Sequence, residues 1–260
     1  MTLTSEQLND YKERCLSFLT ITRDCLPILT QTGVAITNFY KGKDAPRYMV
    51  YCHDMIKRIR ENLFFLTQSP PQEHNSIPLR LILRSVFNDL ISLSYVVENI
   101  DDLETLSHFL NLNDIKAIEG KNNYAECEKE FLELCGKKNW DGFLDSAMAD
   151  FKQVKDEILS PYGSKGNLKK CTKPETKEIA DYFKKDPKLN PLYALLYGPF
   201  KMLSQVEHYA NENRSYSFFD KNTAFFFQKF AIHYQKVIPI LCSTITQHLD
   251  TLIEHTYKQS

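Results

Sequence analysis

Three polar side chains that could do chemistry lie in the otherwise apolar segment LRLILRSVFNDLISLSYVV, residues 79–97. Arg80, Arg84 and Asn88 recur every four residues, so they lie along one line if this segment is a helix. Burying an arginine is unfavourable without a partner, which Asp89 could supply unless it pairs elsewhere. The line has two interpretations: arginines at the edge of a bundle with their charged heads in solvent, or cations placed to bind an anionic group.

A second set of candidate side chains lies in the segment YGPFKMLSQVEHYANEN, residues 197–213. Tyr197, Ser204 and His208 fall on one face of a helix, whereas Glu207 lies about 100° round the helix from His208. A hydrolase nucleophile is not predicted, because a G-x-S-x-G elbow is absent and a serine inside a helix usually bonds the carbonyl four residues back. His208 is either a hydrogen-bonded structural residue or an acid, a base or a ligand.

Motifs for metals and cofactors are absent from the sequence. It contains neither H-E-x-x-H, nor paired E-x-x-H, nor a glycine-rich phosphate loop. His248 and His255 share a helical face, but a di-iron bundle needs carboxylates from four helices. The seven cysteines are scattered without a C-x-x-C pair, which is typical of buried, reduced thiols in a cytosolic protein. We therefore predict no metal and no cofactor.

The overall composition is that of a folded protein with a balanced charge. Lysine and arginine number 32 against 33 acidic residues, so no global field indicates a nucleic acid or an anionic membrane as the partner. The N-terminus has no apolar h-region, and the run PLYALLYGPFKML is too short to span a bilayer. We predict a cytoplasmic protein that does not associate with a membrane.

The elements that must position these residues are all predicted to be helical. Glycine is scarce, with 8 residues, and no β-branched runs flank a hairpin turn. Prolines 70 and 71 end one helix, and Ser76 with Pro78 begins the next. Asp101 and Glu104 form a capping-box pattern before another helix. The predicted helices are a first one bent at Pro27, then about 45–68, 76–99, 103–118, 123–135 closed by Gly136, 140–159, 174–185, 190–211 bent at Pro199, and 223–257 kinked at Pro239.

We predict one all-α domain over residues 1–260, an antiparallel helical bundle of about eight or nine helices. Its core comes from about 45–99 and 190–257, because these segments carry the strongest apolar patterns. Residues 101–160 form a more charged helical excursion. The segment SPYGSKGNLKKCTKPE, residues 160–175, is predicted to be a mobile loop.

Two of these segments together resemble an uncharacterised family of bacterial all-helical proteins, a domain-of-unknown-function family. Its members pair an R-S-x-x-E/D-x-x-x-x-x-x-Y helix with a later Y-x-x-x-S-x-x-x-H helix. The resemblance covers residues 77–211, and the acidic position is displaced to Asn88-Asp89. The matching residues are Arg84, Ser85, Tyr95, Ser204 and His208, with Tyr197 or Pro199-Phe200 near the aromatic position.

That family is similar to the HEPN helical bundles, many of which are ribonucleases with an R-x(4 to 6)-H motif. The single match here, Arg47 to His53, is what chance provides in a chain of this composition, so we do not assign the local motif. A split site remains as a hypothesis, in which Arg84 and His208 meet across the bundle. The resemblance then implies cleavage of RNA without a metal: His208 moves a proton and Arg84 stabilises charge on the phosphate.

Three functions remain as alternatives. The first is an interaction or regulatory module of a bacterial defence or stress system. The second is a HEPN-like, metal-independent ribonuclease that uses Arg84 and His208. The third is a small-molecule or nucleotide sensor with a polar pocket inside the bundle, lined by Arg84, Asn88, Tyr197 and His208. The expected partners are accordingly another protein, RNA or, in a homodimer, a second copy of the chain.

Overall fold

The structure, a computed structural model, describes residues 5–69, 71, 76–136, 149, 152–153, 176–208 and 213–258. These ranges contain helices and connecting turns but no β-strand, and the predicted all-α helical bundle is confirmed. The elements are α1 (Ser5–Phe39), α2 (Arg47–Gln68), α3 (Ser76–Glu98), α4 (Leu103–Leu134), α5 (Thr176–Lys185), α6 (Asn190–Leu192), a π-helical turn (Tyr193–Tyr197), α7 (Gly198–His208) and α8 (Asn213–Lys258).

The chain divides into two compact units. One comprises Met1–Ile100 together with Thr176–Ser260, and the other comprises Asp101–Glu175. The first unit, which we call the bundle, contains every described helix except α4. The helix predicted over 140–159 and the loop predicted over 160–175 belong to the second unit, and both lie outside the described residues apart from 149 and 152–153.

The core of the bundle lies where α8 packs on α1 and α3. Apolar residues recur at helical spacing along each of these helices, so that each buries one stripe of side chains. The core predicted from the sequence did not include α1, but α1 is one of the main helices of the core. The fully buried side chains include Phe18 and Leu29 of α1, Phe87 and Leu90 of α3, and Phe227, Tyr234 and Ile245 of α8.

Contacts between side chains show that α1 and α8 run in the same direction. Arg14 Nη1 donates to Gln228 Oε1 at 3.1 Å, and further along both helices Thr22 Oγ1 lies 2.5 Å from the Tyr234 hydroxyl. The next helix along the chain, α2, returns antiparallel to α1 after the turn at 40–46, because Thr37 contacts His53 near this turn and Tyr11 contacts Pro71 at the other end. Adjacent helices along the first part of the chain therefore alternate in direction, while the last helix lies parallel to the first.

The predicted boundaries of α2, α3 and α5 lie within two residues of the observed ones, because prolines and polar caps mark them locally. The two helices predicted over 103–118 and 123–135 are wrong, since α4 is continuous from Leu103 to Leu134. Its interior Gly120 lowers helix stability by only about 1 kcal/mol, which the neighbouring turns offset. Gly136 does follow this helix, with a φ of 65° that favours glycine.

The N-cap of α4 is shifted by one residue from the predicted capping box. The carboxylate of Asp102, rather than that of Asp101, accepts a hydrogen bond from the Thr105 backbone N–H at 3.0 Å. This bond satisfies one of the amide groups that have no partner inside the helix. It also lowers the pKa of the Asp102 carboxyl, because hydrogen bonds to the Thr105 amide favour the charged form.

The last helix begins earlier than predicted. α8 starts at Asn213, and Asn222 interrupts it with φ −119° and ψ 16°. The helix predicted from Thr223 thus corresponds to the part of α8 that follows this kink. Pro27 and Pro239 lie inside α1 and α8, and the bends proposed at these two residues remain predictions.

The cysteines of the bundle helices are buried and reduced, as predicted, but one on α4 and one directly after it are not buried. Cys15, Cys25, Cys52 and Cys242 are buried free thiols, whereas Cys127 and Cys135 are exposed. Burial raises the pKa of both Cys25 and Cys52 to about 12, so these thiols stay protonated and unreactive near neutral pH.

Among the described helices, none is both long enough and apolar enough to cross a membrane.

Candidate functional site

The structure brings Arg84 of α3 against α7. Its Nε–H donates to the hydroxyl oxygen of Ser204 at 3.0 Å, across 120 positions of sequence. The Ser204 hydroxyl in turn donates to the carbonyl of Phe200 at 2.8 Å. Because this proton is engaged four residues back in the same helix, Ser204 acts as an acceptor for the arginine and is not prepared as a nucleophile.

The guanidinium of Arg84 also lies over an aromatic ring. Its Cζ atom is 5.6 Å from the centroid of Phe200, within the range of a cation–π contact. The side chain is half-buried, so the charge is held between helices in surroundings less polar than bulk water. Ser204 and Phe200 therefore fix both the position and the plane of this cation.

The three polar residues on the line along α3 reach three different surroundings. Arg80 is 1% exposed and belongs to the interior, so it does not sit at a bundle edge with its head in solvent. Arg84 is directed at α7, as described above. Asn88 Oδ1 accepts a hydrogen bond from the Thr176 hydroxyl at 2.8 Å, which joins α3 to the first residue of α5. Arg84 and Asn88 therefore link α3 to two neighbouring helices, and the row does not line one continuous surface.

Asp89 is paired with a cation that the sequence analysis did not consider. Its carboxylate is 1% exposed and accepts two hydrogen bonds from the Arg58 guanidinium of α2, of which the Nε to Oδ2 bond measures 3.1 Å. Asp89 lies about 100° round the helix from Asn88, so it points towards α2. The sequence left two alternatives for Asp89, a pair with an arginine of its own helix or a pair with another residue, and the structure supports the second.

His208 is the last residue of α7, and its imidazole lies outside the described side chains. It follows Ser204 by four residues, so the two share one helical face. That face meets α3 at Ser204. The contact between Arg84 and His208 remains a prediction. The Arg47 and His53 pair lies in α2, where the intervening Met49 and Cys52 are fully buried core residues.

A proline explains the π-helical turn that precedes α7. In an α-helix the N–H of residue 199 would donate to the carbonyl of Leu195, but Pro199 has no N–H and its ring clashes with that carbonyl. The backbone widens into a π-helical turn over Tyr193–Tyr197, immediately before the proline. The Leu195 carbonyl instead accepts a hydrogen bond from His233 Nδ1 of α8 at 2.9 Å. The bend predicted at Pro199 remains a prediction, and the structure shows a π-helical turn directly before the proline.

Tyr197 belongs to a row of three aromatic rings, which we call the aromatic ladder: Tyr193, Tyr197 and Phe200. The ring centroids are 5.4 Å apart for Tyr193 and Tyr197 and 6.2 Å apart for Tyr197 and Phe200, with interplanar angles of 34° and 25°. The i, i+4, i+7 spacing of residues 193, 197 and 200 places the three rings on one side of the helix. Burial, followed by the nearby Tyr193 and Asp181, raises the pKa of the Tyr197 phenol.

A cation lies at each end of the aromatic ladder. Arg84 covers Phe200, and Lys184 Nζ of α5 lies 5.6 Å from the centroid of Tyr193. Arg84 and Tyr197 were identified from the sequence and Phe200 was named only at the aromatic position of the resemblance, whereas Lys184 and His233 were missed. The i, i+4, i+7 spacing of the three rings was a usable signal, whereas nothing local connects His233 to Leu195.

Within the described ranges, no group of three or more histidine, cysteine, aspartate or glutamate side chains could hold a metal ion. Comparisons of the chain with protein-family models, with curated proteins and with solved structures find no match. The candidate site therefore has to be interpreted from its own geometry.

Proposed function

We propose that the protein is a regulatory module that senses a nucleotide, with Arg84 as the cation that binds the phosphate. The observation that carries this proposal is the hydrogen bond from Arg84 Nε to Ser204, with Phe200 beneath the guanidinium. A guanidinium held in one position by a hydroxyl group and a ring loses little side-chain entropy when it binds an anion.

The surroundings of Arg84 suit a phosphate. The guanidinium has planar donor geometry and matches phosphate oxygens in pairs. Its half-buried position between α3 and α7 strengthens attraction to an anion relative to a fully solvated side chain. Aromatic rings adjoin the cation, and base stacking on such rings is a common way to bind the rest of a nucleotide.

A thermal-shift assay over a nucleotide panel tests this proposal. A nucleotide that binds the folded state raises the melting temperature of the wild type by an amount that grows with its concentration. The Arg84→Ala variant should lose most of that shift. Arg14→Ala is the matched control, because Arg14 also lies over an exposed ring, Phe225, at 5.3 Å, but in α1. No shift with any nucleotide, or an equal shift in both variants, would contradict the proposal.

A metal-independent ribonuclease is the second candidate function. It is favoured by the contact between Arg84 and Ser204, because His208 lies one turn further along the same helix. In that reaction the 2′-hydroxyl of the RNA attacks the adjacent phosphorus and the P–O5′ bond breaks. His208 transfers a proton, and Arg84 stabilises the negative charge on the phosphate oxygens.

The two functions separate in one assay. Wild type, Arg84→Ala and His208→Ala are incubated with labelled RNA in the presence of EDTA. A ribonuclease leaves wild-type cleavage intact in EDTA and loses it in both variants. Three equally inactive proteins would exclude the ribonuclease and leave the nucleotide-sensing module standing.

A further inference from the structure

The aromatic ladder and its two end cations form an arrangement that a single phosphate does not require. Lys184 lies at Tyr193 and Arg84 lies at Phe200, so three rings separate the two positive charges. A mononucleotide has one cluster of phosphates and one base. Two cations that stand apart, with rings between them, fit a ligand with repeated phosphates and repeated bases.

The rings leave room for further stacking. Their centroid separations of 5.4 and 6.2 Å correspond to an offset arrangement, in which each ring covers only part of its neighbour's face. Tyr193, Tyr197 and Phe200 are all half-buried and none is enclosed in the core. An incoming base could therefore overlap the open part of a ring, and this interaction tolerates any base.

The segment that carries the ladder is locally basic although the whole chain has a net charge of −1. Residues 176–201 contain five lysines and three acidic residues. The lysines at 177, 184, 185, 188 and 201 are all exposed. Positive charge interleaved with aromatic rings is the usual composition of a surface that binds single-stranded nucleic acid.

We propose that the aromatic ladder, with Lys184 and Arg84 at its ends, binds single-stranded RNA. This inference rests on the proposed function, because Arg84 binds a phosphate in both, and it specifies the ligand as a strand of more than one nucleotide. The two cations bind separate phosphates, and the rings stack with unpaired bases. The phenol hydroxyls of Tyr193 and Tyr197 can donate and accept, as can the 2′-hydroxyl that distinguishes RNA from DNA.

One acidic side chain opposes this binding. Asp181 of α5 lies near enough to Tyr197 to contribute to its raised pKa. A carboxylate beside the ladder repels a phosphate backbone, so its removal should tighten binding. Asp181→Asn is therefore a variant that should gain affinity, which general damage to the fold does not produce.

Fluorescence anisotropy with a labelled oligouridylate of about 12 nucleotides measures the binding, with the deoxy oligonucleotide of the same length as comparison. We expect Tyr197→Ala to raise the Kd for RNA by about tenfold, and Lys184→Ala by about threefold to tenfold at low salt. Tyr197→Phe keeps the stacking, so it should weaken RNA binding slightly and leave DNA binding unchanged. Asp181→Asn should lower the Kd by about twofold to threefold.

Matched controls exist for both kinds of variant. Lys43 also lies over an aromatic ring, that of Phe39, at 5.3 Å, and Tyr124 on α4 is a 63% exposed tyrosine. Lys43→Ala and Tyr124→Ala should bind RNA like the wild type. Melting curves for all variants identify any loss of affinity that comes from unfolding, and Asp181→Asn remains informative even if Tyr197→Ala folds poorly.

The outcomes distinguish this inference from the proposed function. If nucleotides stabilise the wild type through Arg84 but Tyr197→Ala, Lys184→Ala and Asp181→Asn bind RNA like the controls, the ladder assignment is wrong and the nucleotide site stands. If neither nucleotides nor RNA bind the wild type, both proposals fail. Tighter binding of the deoxy oligonucleotide than of RNA overturns the assignment to RNA.

Discussion

His233 Nδ1 of α8 lies 2.9 Å from the carbonyl oxygen of Leu195, in the π-helical turn before Pro199. A carbonyl can only accept, so the ring carries its proton on Nδ1 in this contact. The histidine thus supplies the donor that the proline removes from the backbone. It also ties α8 to the turn that carries the aromatic ladder.

This relationship can be tested with a double-mutant cycle. His233→Ala should lower the free energy of unfolding by about 1–3 kcal/mol, because the Leu195 carbonyl loses its donor. In a Pro199→Ala background the backbone N–H of residue 199 is restored, and the effect of His233→Ala should fall below about 1 kcal/mol. Urea unfolding of the four proteins measures the coupling. Strictly additive effects would show that the two residues do not share this carbonyl.

The buried carboxylate of Asp89 gives a second prediction. Arg58→Ala removes its two hydrogen bonds, and we expect a loss of about 2 kcal/mol in the free energy of unfolding. Arg58 is itself 53% exposed, which keeps this loss below the range for a fully buried ion pair. Asp10→Ala is the control, because it removes only the surface ion pair of Asp10 with Arg14, and it should have a clearly smaller effect. Equal effects of the two substitutions in urea unfolding would contradict the role assigned to Asp89.

The buried thiol of Cys52 predicts a dependence of stability on alkaline pH. Burial raises the pKa of this thiol to about 12, above the value of 9.0 for an exposed thiol. An acid whose folded pKa is raised stabilises the fold fully below the unfolded value, and this contribution is lost as the pH rises from about 9 to about 12. Between pH 7 and pH 10 the loss for one such thiol is about 1.4 kcal/mol.

Cys52→Ala should therefore reduce the fall in unfolding free energy between pH 7 and pH 10 by about 1.4 kcal/mol, even though the cavity lowers stability at both pH values. Cys127→Ala, at an exposed position on α4, should leave the pH dependence unchanged. The measurement is urea unfolding at the two pH values. An unchanged slope in Cys52→Ala would refute the assignment of a buried, protonated thiol.

Local sequence signals were enough to predict the helical fold. The end of α2 and the start of α3 were predicted closely. Prolines 70 and 71 stop one helix, and Ser76 with Pro78 begins the next, through local backbone geometry. The break predicted near Gly120 was wrong, because a single glycine lowers helix stability too little to end α4. The N-cap of α4 was predicted one residue too early, because Asp101 and Asp102 are both favourable N-cap residues and only the fold selects between them.

The candidate site was predicted only in part, because its residues meet across long distances in sequence. Helical spacing correctly put Arg84 on one face of α3 and Ser204 on one face of α7, but it could not show that these faces meet. Neither could it show that Asp89 turns towards Arg58 on α2. The row of rings from Tyr193 to Phe200 follows the i, i+4, i+7 spacing of a helix, but the π-helical turn over Tyr193–Tyr197 was not predicted.

The parallel pairing of α1 with α8 affects how the chain can fold during its synthesis. Thr22 and Tyr234 are in contact although 212 positions separate them. At about 5–20 residues per second, a ribosome needs about 10–40 s to add the second after the first. During that interval the apolar stripe of α1 can pack against α2 but not against its main partner. Closure of the core therefore has to wait until α8 leaves the ribosome, and until then the apolar stripe of α1 lacks its main partner in the fold.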